Sequence, residues 1–447
     1  MPYRHALPFL MSVTTSAVML FSVPLQASSP SPFNLEHLIE ATIQNNEALQ
    51  AKSFRVLAEQ EQLEQALGAL RPNIQLNASY GRGQYSTQFI NREEDNLRRA
   101  SVNLTQPLYA PISYRSVQRE VIRTNLVDLD FDLEQQTSSL DTTFAYLELL
   151  RSLEFVEIAK KQLEDHQVKF QRLQALMDRG FATRMDYLEA QARRDEIRAN
   201  LVTAHNNVTI NKRRLERLVG MPVDQVGPLP EDLWQRGKDL LAYKQWGELG
   251  INQALPLQVA RQEIELAQQE LHVQRARHLP QVTMRVEFTE SESYETTFQN
   301  NQKIQLDFVL PLYEGGITSS RIRAANHLLS SSRFNLQERE RFVDVRIREI
   351  LTELEATLAN IDALQQSVIS NEAYLEAAER GLAIGLRGLA DILDARSRSY
   401  DTERRMVNEV YANLAAQFEL LFLVGRYEPN HLRQFLAPNF SIQALMN

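Results

Sequence analysis

The sequence predicts a mainly α protein with a small β part, built from long antiparallel helical hairpins that occur twice along the chain. Three observations carry that prediction. Glycine and proline number only 15 and 16 in 447 residues, well below the usual shares of roughly 7% and 5%, so the elements run long. Short motifs recur in one order at a spacing of about 205 residues, the mark of a duplicated unit. Four segments alternate apolar and polar residues, which is the period of a strand and not of a helix.

Composition narrows the function classes. The chain is 43% apolar and 23% charged, which suits a folded protein rather than a disordered one. Acidic residues outnumber Lys plus Arg by 57 to 48, a formal charge of −9. A surplus of acid spread along the chain argues against nucleic acid as partner, because phosphate binding needs a basic face. The absence of cysteine excludes disulfides, thiolate metal sites, a cysteine nucleophile and a cysteine-linked lipid anchor.

The chain opens with what reads as an export signal over residues 1–27. Arg4 and His5 precede an apolar stretch from Leu7 to Val23, and Ala27 offers a small residue at the cut. A first transmembrane helix is the competing reading, but Ser12, Thr14, Thr15 and Ser16 interrupt the stretch, which is short for a bilayer. Removal of Arg4 leaves the mature chain one charge more acidic. No other stretch approaches the ~20 apolar residues of a spanning helix.

The breakers then mark out each half. Proline is absent from Ile112 to Met221 and from Leu312 to Glu428. Inside the first window the only glycines are Gly180 and Gly220, and the second keeps Gly381, Gly385, Gly388 and Gly425 for its late part. Each half therefore reads as a helix of ~24 residues ending at proline (about 47–70, then 256–278), two strands, a helix of ~65 residues (about 113–178, then 318–382) and a returning helix of ~36 residues (about 184–219, then 389–424). Matching motifs fix the repeat. Gln106-Pro107-Leu108-Tyr109 returns as Leu310-Pro311-Leu312-Tyr313, Asp186 to Ala190 as Asp391 to Ala395, and Leu218-Val219-Gly220 as Leu423-Val424-Gly425. At 1.5 Å per residue the long helix spans ~98 Å, too long for one globular core. The two shorter helices of each half, stacked end to end, nearly match it. Heptads (Leu126, Leu133, Leu140, Leu147; Leu393, Tyr400, Val407, Leu414, Leu421) call for paired, supercoiling helices.

The strand candidates put Ile74, Leu76, Ala78 and Tyr80, then Ala100, Val102 and Leu104, then Val282, Met284, Val286 and Phe288, then Ile304, Leu306, Phe308 and Leu310 on one face. A half-buried soluble sheet and a transmembrane barrel both show this alternation. No remaining segment looks able to cover the apolar face, because the long helices must run away from it. Tyr80, Tyr85, Phe89, Tyr109, Phe288, Tyr294, Phe298 and Tyr313 gather toward strand ends, as interface aromatics do. Four strands cannot close a barrel, and lipid tolerates no open edge. A spanning sheet here needs further copies of the chain.

The duplicated plan, the run Ala276-Arg277-His278-Leu279-Pro280-Gln281-Val282 before a strand, the run Pro311-Leu312-Tyr313-Glu314-Gly315-Gly316 before the second long helix, and the turn from Gly385 to Ala395 together resemble the TolC-like outer-membrane efflux protein family over nearly the whole mature length. The resemblance implies a homotrimer whose hairpins form an α-barrel tunnel in the periplasm and whose strands close a 12-stranded transmembrane β-barrel. It implies the exit duct of a tripartite efflux pump or type I secretion system, joined through a periplasmic adaptor to an inner-membrane transporter and surrounded by outer-membrane lipid. Asp391 and Asp394 match the family's gate aspartates; Arg387 and Asp186 match a latch between the inner and outer helix pairs. Asp391 and Asp394 are three apart, hence on one helical face, and three copies bring six carboxylates to one ring. Such a ring resists full ionisation and attracts cations. Leu382 stands where the family pattern has a tyrosine and Met185 where it has a threonine, so the latch is expected to be weaker or differently built.

On this reading the domains are a signal peptide (1–27), a first repeat (28–220), an equatorial linker (221–246), a second repeat (247–425) and an equatorial tail (426–447). A periplasmic coiled-coil adaptor or scaffold is the alternative, but it has no need of two symmetric pairs of amphipathic strands. An enzyme is not expected. The eight histidines are scattered, with no His-Glu-x-x-His, phosphate loop or nucleophile elbow. No catalytic residue, cofactor or metal is read from the sequence.

Overall fold

The structure, a computed structural model, describes residues 33–442 apart from 88–89, 244, 294–295, 385, 439 and 441. The export segment at 1–27 lies outside the described residues, as do the side chains of Tyr85, Phe89, Tyr294 and Phe298. The first half runs α1 (Leu35–Asn45), α2 (Glu47–Gly68), β1 (Asn73–Thr87), β2 (Ile90–Tyr109), α3 (Pro111–Asp178) and α4 (Arg184–Val219). A 3-10 turn (Leu233–Gln235) and α5 (Arg236–Ala242) follow. The second half repeats the plan with α6 (Trp246–Gln253), α7 (Leu255–Ala276), β3 (Gln281–Ser293), β4 (Thr296–Val309), α8 (Ile317–Ala383) and α9 (Leu389–Leu423), and α10 (Pro429–Leu436) comes last.

The long helices are as long as the missing breakers demand: 68 residues in α3 and 67 in α8, about 100 Å each at 1.5 Å per residue. Each ends in a tight turn closed by a backbone bond. At the end of α3, Gly180 takes φ +78°, and Phe181 N donates to Leu176 O at 2.9 Å, which satisfies a carbonyl that the last turn would leave open. The same closure ends α8, where Leu386 N donates to Gly381 O at 2.8 Å. The heptad residues Leu140, Leu147, Leu393, Leu414 and Leu421 are buried, all but Leu393 in the largest core.

The sequence does not reveal α1 and α6, which precede the first shorter helix of each half. At the first break, Asn46 caps α2 by accepting from Ala48 N and Leu49 N, while its amide donates to Leu218 O at 2.9 Å. That bond joins the start of α2 to the end of α4. Gly220 closes the joint: a Cβ there would lie 2.7 Å from Asn45 O. The second half has an equivalent joint, where a Cβ on Gly425 would lie 2.6 Å from Gln253 O. The shorter helices thus meet end to end beside the long ones.

All four strands form one antiparallel sheet in the order β1-β2-β3-β4. The register pairs Ile74 with Leu104, Val102 with Phe288, and Val286 with Ile304, so the apolar residues of all four strands share a face. The strands outrun the predicted segments: β1 continues to Thr87 and β2 starts at Ile90. Beyond Tyr80, Gly81 and Gly83 and the charged run Arg92 to Asp95 break the alternation, so no strand pattern marks the extension.

The largest core sits halfway along the hairpins. It gathers α1, the middle of α3 (Tyr146, Leu147, Leu150), the end of α4 (Leu215, Val219), the middle of α8 (Ile347, Ile350, Leu354) and the end of α9 (Phe418, Leu420, Leu421). The segment after α4 belongs to this core through Leu233, Leu240 and Trp246, and the chain's tail through Tyr427, Leu432 and Phe435. Arg236 is buried against the rings of Phe435 and Phe440 and donates to the carbonyls of Phe435 and Ala437, so it ties the tail to the middle segment.

Candidate functional site

Two features stand out from a plain helical scaffold: the sheet at one end of the molecule and the hairpin tips at the other. On the sheet's apolar face, Leu76 is 74% exposed and Ile304 77% exposed in the single chain. Burial of a large aliphatic side chain is worth about 1.5–3 kcal/mol, so leaving many of them open calls for an apolar surrounding. The opposite face carries Gln75, Asn77, Ser101 and Asn103, with ion pairs between Arg285 and Asp307 at 3.5 Å and between Arg99 and Glu287 at 3.6 Å. An apolar outside and a charged, hydrated inside is the division a barrel wall makes. β1 and β4 each pair on one side only. Among the described residues no helix is long and apolar enough to cross a membrane.

At the tips, the repeat places Asp186 and Asp391 in the same local role. Asp186 is the third residue of α4, where its carboxylate accepts from Thr183 N at 3.1 Å and from the Thr183 hydroxyl at 2.6 Å. Asp186 N donates back to Thr183 Oγ1 at 3.1 Å, completing a reciprocal cap. Asp391 is the third residue of α9 and accepts from Gly388 N at 3.1 Å. Both acids also lie at the positive end of a helix dipole.

The four residues singled out in the sequence are not gathered into one cluster within the chain. Arg387 Nη1 lies 4.0 Å from Asp391 Oδ2, one turn away on its own segment. Asp394 Oδ1 lies 4.0 Å from Arg193 Nη2 of α4, in the first hairpin. Arg387 and Asp186 form no ion pair with one another inside the chain, since each has the local partner just described. Gly381 matters here for a steric reason: a Cβ on it would come within 2.9 Å of Arg387 Cγ, so the arginine stem packs across the bare backbone. Met185 and Leu382 are both exposed and supply no polar bond at the positions where the family pattern has one.

Sequence reasoning missed a second polar group that the fold assembles farther from the tips. Asp165 of α3 accepts the Tyr400 hydroxyl of α9 at 2.5 Å and the guanidinium of Arg396, also on α9. Arg396 reaches on to Glu379 Oε1 of α8 at 2.7 Å, and Lys169 Nζ of α3 lies 3.8 Å from the same oxygen. Burial pushes the Asp165 carboxyl up, but the bonds from Tyr400 and Arg396 outweigh it and hold the group below the usual carboxylate range. Beside it His166 is almost wholly buried, and burial together with the Lys169 charge pushes its pKa down to about 4. Only Tyr400 carried a signal in the sequence, as a heptad residue. The pairing of Asp165 with Arg396 spans 231 positions, which no local pattern reveals.

With the architecture in place, comparison with known proteins gives one answer. The family model described as outer membrane efflux protein matches residues 38–221 and 249–426, which are the two halves of the duplicated plan. The outer membrane protein TolC of Salmonella enteritidis is 25% identical over 438 residues, covering 95% of this chain and 87% of that protein. The alkaline protease secretion protein AprF of Pseudomonas aeruginosa is 28% identical over 349 residues, covering 76% of this chain and 72% of that one. The solved structure of the outer membrane protein VceC from Vibrio cholerae superposes with a TM-score of 0.74 at 19% identity, over 88% of this chain and 96% of that one. The chain belongs to the outer membrane efflux protein family and is an outer-membrane exit duct for efflux or type I secretion.

Proposed function

We propose that this duct is a homotrimer gated at its periplasmic tips by Asp391 and Asp394. The observation that carries the reading is the sheet, whose apolar face is open and whose edges at β1 and β4 are unpaired. Three copies supply twelve strands, pair every edge and put the apolar face against outer-membrane lipid. Leu328, Phe334 and Phe342, exposed along α8, give each copy an apolar helical face to set against the next. A periplasmic scaffold would leave the sheet without a role.

In the trimer, Asp391 and Asp394 form a ring of six carboxylates at the tunnel end. Arg387 and Asp186, apart within one chain, are read as a latch between neighbouring copies. The exposed tips are the natural docking point for a periplasmic adaptor that leads to an inner-membrane transporter. The protein is a conduit and carries out no catalysis of its own. Residues 1–27 direct export; the repeats at 28–220 and 247–425 build the wall, and segments 221–246 and 426–447 form a belt around its middle.

The gate assignment is tested by combining Asp391→Ala with Asp394→Ala and recording block by divalent or trivalent cations added on the tunnel side. The blocking concentration is expected to rise about tenfold or more, since a carboxylate ring is what concentrates cations at a constriction. Unchanged block refutes the assignment.

A further inference from the structure

The apolar face of the sheet ends in charge at its outer rim. Along β3 that face carries Val282, Met284, Val286 and Phe288, and its next two residues are Glu290 and Glu292. The register extends these levels across the sheet: Glu290 stands in line with Ala100 and Ala78, and Glu292 in line with Arg98 and Tyr80. Arg82, two residues beyond Tyr80 on β1, shares the face by the period of a strand. The ten residues from Val282 to Glu292 cover about 34 Å along the strand, or ~26 Å in height at a tilt of about 40°. The apolar band of a transmembrane barrel is about 25 Å tall. The charged level therefore falls where lipid headgroups begin, at the end of the sheet away from the helices.

The small side chains of Ala78 and Ala100 leave a hollow on this face. It measures about 450 Å³ and is walled by Tyr80, Arg98, Glu290 and Glu292. The Arg98 guanidinium stands 5.9 Å from the centroid of the Tyr80 ring, and its Nη1 lies 3.8 Å from Glu292 Oε2. That separation is too long for a direct hydrogen bond, so the planar fork stays able to take a phosphate through two parallel bonds. A charge on the lipid side of a barrel is costly at mid-bilayer and tolerated only near the headgroups. Arginine and glutamate stand here in equal number. Such a balance suits phosphates that arrive with divalent counter-ions, the arginines taking phosphate oxygens and the carboxylates the bridging cation. Val102 and Phe288, exposed just below, continue the hollow into the apolar band. A multiply phosphorylated, acylated glycolipid has this sequence of chemistry from headgroup to chains, and it is the lipid of an outer membrane's outer leaflet.

We propose that the hollow over Ala78 and Ala100 is a binding site for the phosphorylated headgroup of an outer-leaflet glycolipid, lipid A. Arg98 and Arg82 hold its phosphates, Glu290 and Glu292 hold the divalent cation between them, and Tyr80 packs against a sugar ring. The acyl chains lie down over Val102 and Phe288. Three copies of the chain present three such sites around the barrel and fix its height against the outer leaflet. The inference rests on the reading of the sheet as one third of a barrel, and it names the lipid that the outer rim selects.

The test uses full-length trimer purified in detergent, incubated with lipid A and magnesium, passed through gel filtration and weighed by native mass spectrometry. The parent is expected to retain the phosphorylated lipid and to release it when the cation is chelated. Arg82→Gln combined with Arg98→Gln is expected to lower retention about fivefold or more, the scale of losing charge-assisted bonds, and Arg98→Lys to keep part of it. Ala100→Leu, which fills the hollow and alters no charge, should lower retention as well and serves where the charge changes prevent assembly. Parent-like retention in the assembled variants, equal retention of dephosphorylated lipid A, or equal retention of phosphatidylglycerol would each overturn the site. Quenching of Ile304→Trp by brominated lipid in vesicles separates the two readings, since Trp234 and Trp246 belong to the core at mid-height. Quenching with parent-like retention removes the site alone; no quenching removes the barrel wall and the site together.

Discussion

His166 shows how one buried side chain makes this molecule sensitive to its surroundings. It is 3% exposed, lies beside Lys169, Asp165, Arg396 of α9 and Arg193 of α4, and its pKa is pushed down to about 4. Glu379 of α8 completes the set of charges at the junction. Parting of the hairpins would hydrate the ring and return its pKa toward 6.5. The packed state binds fewer protons, so its stability is complete above about 6.5 and is lost as the pH falls toward 4. Asp165 stays ionised across that window, because Tyr400 and Arg396 hold its pKa below the ordinary value. Conductance is therefore expected to rise as the pH is lowered from about 6.5 to about 4, and His166→Gln to flatten that rise. A pH response identical in the variant would exclude this histidine. At this scale the sequence was only partly legible. Asp186 and Asp391 were visible because they occupy equivalent positions of a repeat and begin helices. Asp165 and Arg396 were not, because their meeting depends on how two hairpins pack.

The elements were far more legible, and the reason is steric. Helix ends here are set by glycine, which alone adopts positive φ without strain. Gly180, Gly220 and Gly425 all do so, so the lengths read from breaker positions fall within a few residues of α3, α4 and α9. The outer halves of the strands were hidden, since glycines and a run of charged residues break the alternation that marks a strand. What the sequence could not convey was that Gly220 and Gly425 have a second duty at the end-to-end joints. Gly220→Ala and Gly425→Ala each combine left-handed strain with a clash against a backbone oxygen, a loss of about 2–4 kcal/mol. Gly180→Ala meets nothing within 4 Å and bears the strain alone, about 1–2 kcal/mol. Thermal unfolding followed by circular dichroism should order the variants accordingly, with Gly180→Ala the mildest. Equal destabilisation of all three would mean that the joints are not held by close backbone contact.

At the scale of the whole molecule, the chain is an unfinished object. Its largest core lies at mid-height, where both repeats, the middle segment and the tail converge. From there the helices run as a thin wall toward the tips, and the sheet exposes apolar side chains that no other described part of the chain covers. Length alone suggests about three domains for a chain of this size; the repeat shows why it builds one elongated unit instead. Duplication gave each copy two hairpins and two strand pairs. The acidic surplus that argued against nucleic acid also acquires a place, since the tips carry Asp391 and Asp394. The central claim is that copies of this chain close into a pore across the outer membrane. Planar-bilayer recording from purified, cross-linked trimer tests it most directly. A small, cation-selective conductance is the predicted result; membrane-inserted, folded trimer that passes no current would contradict it.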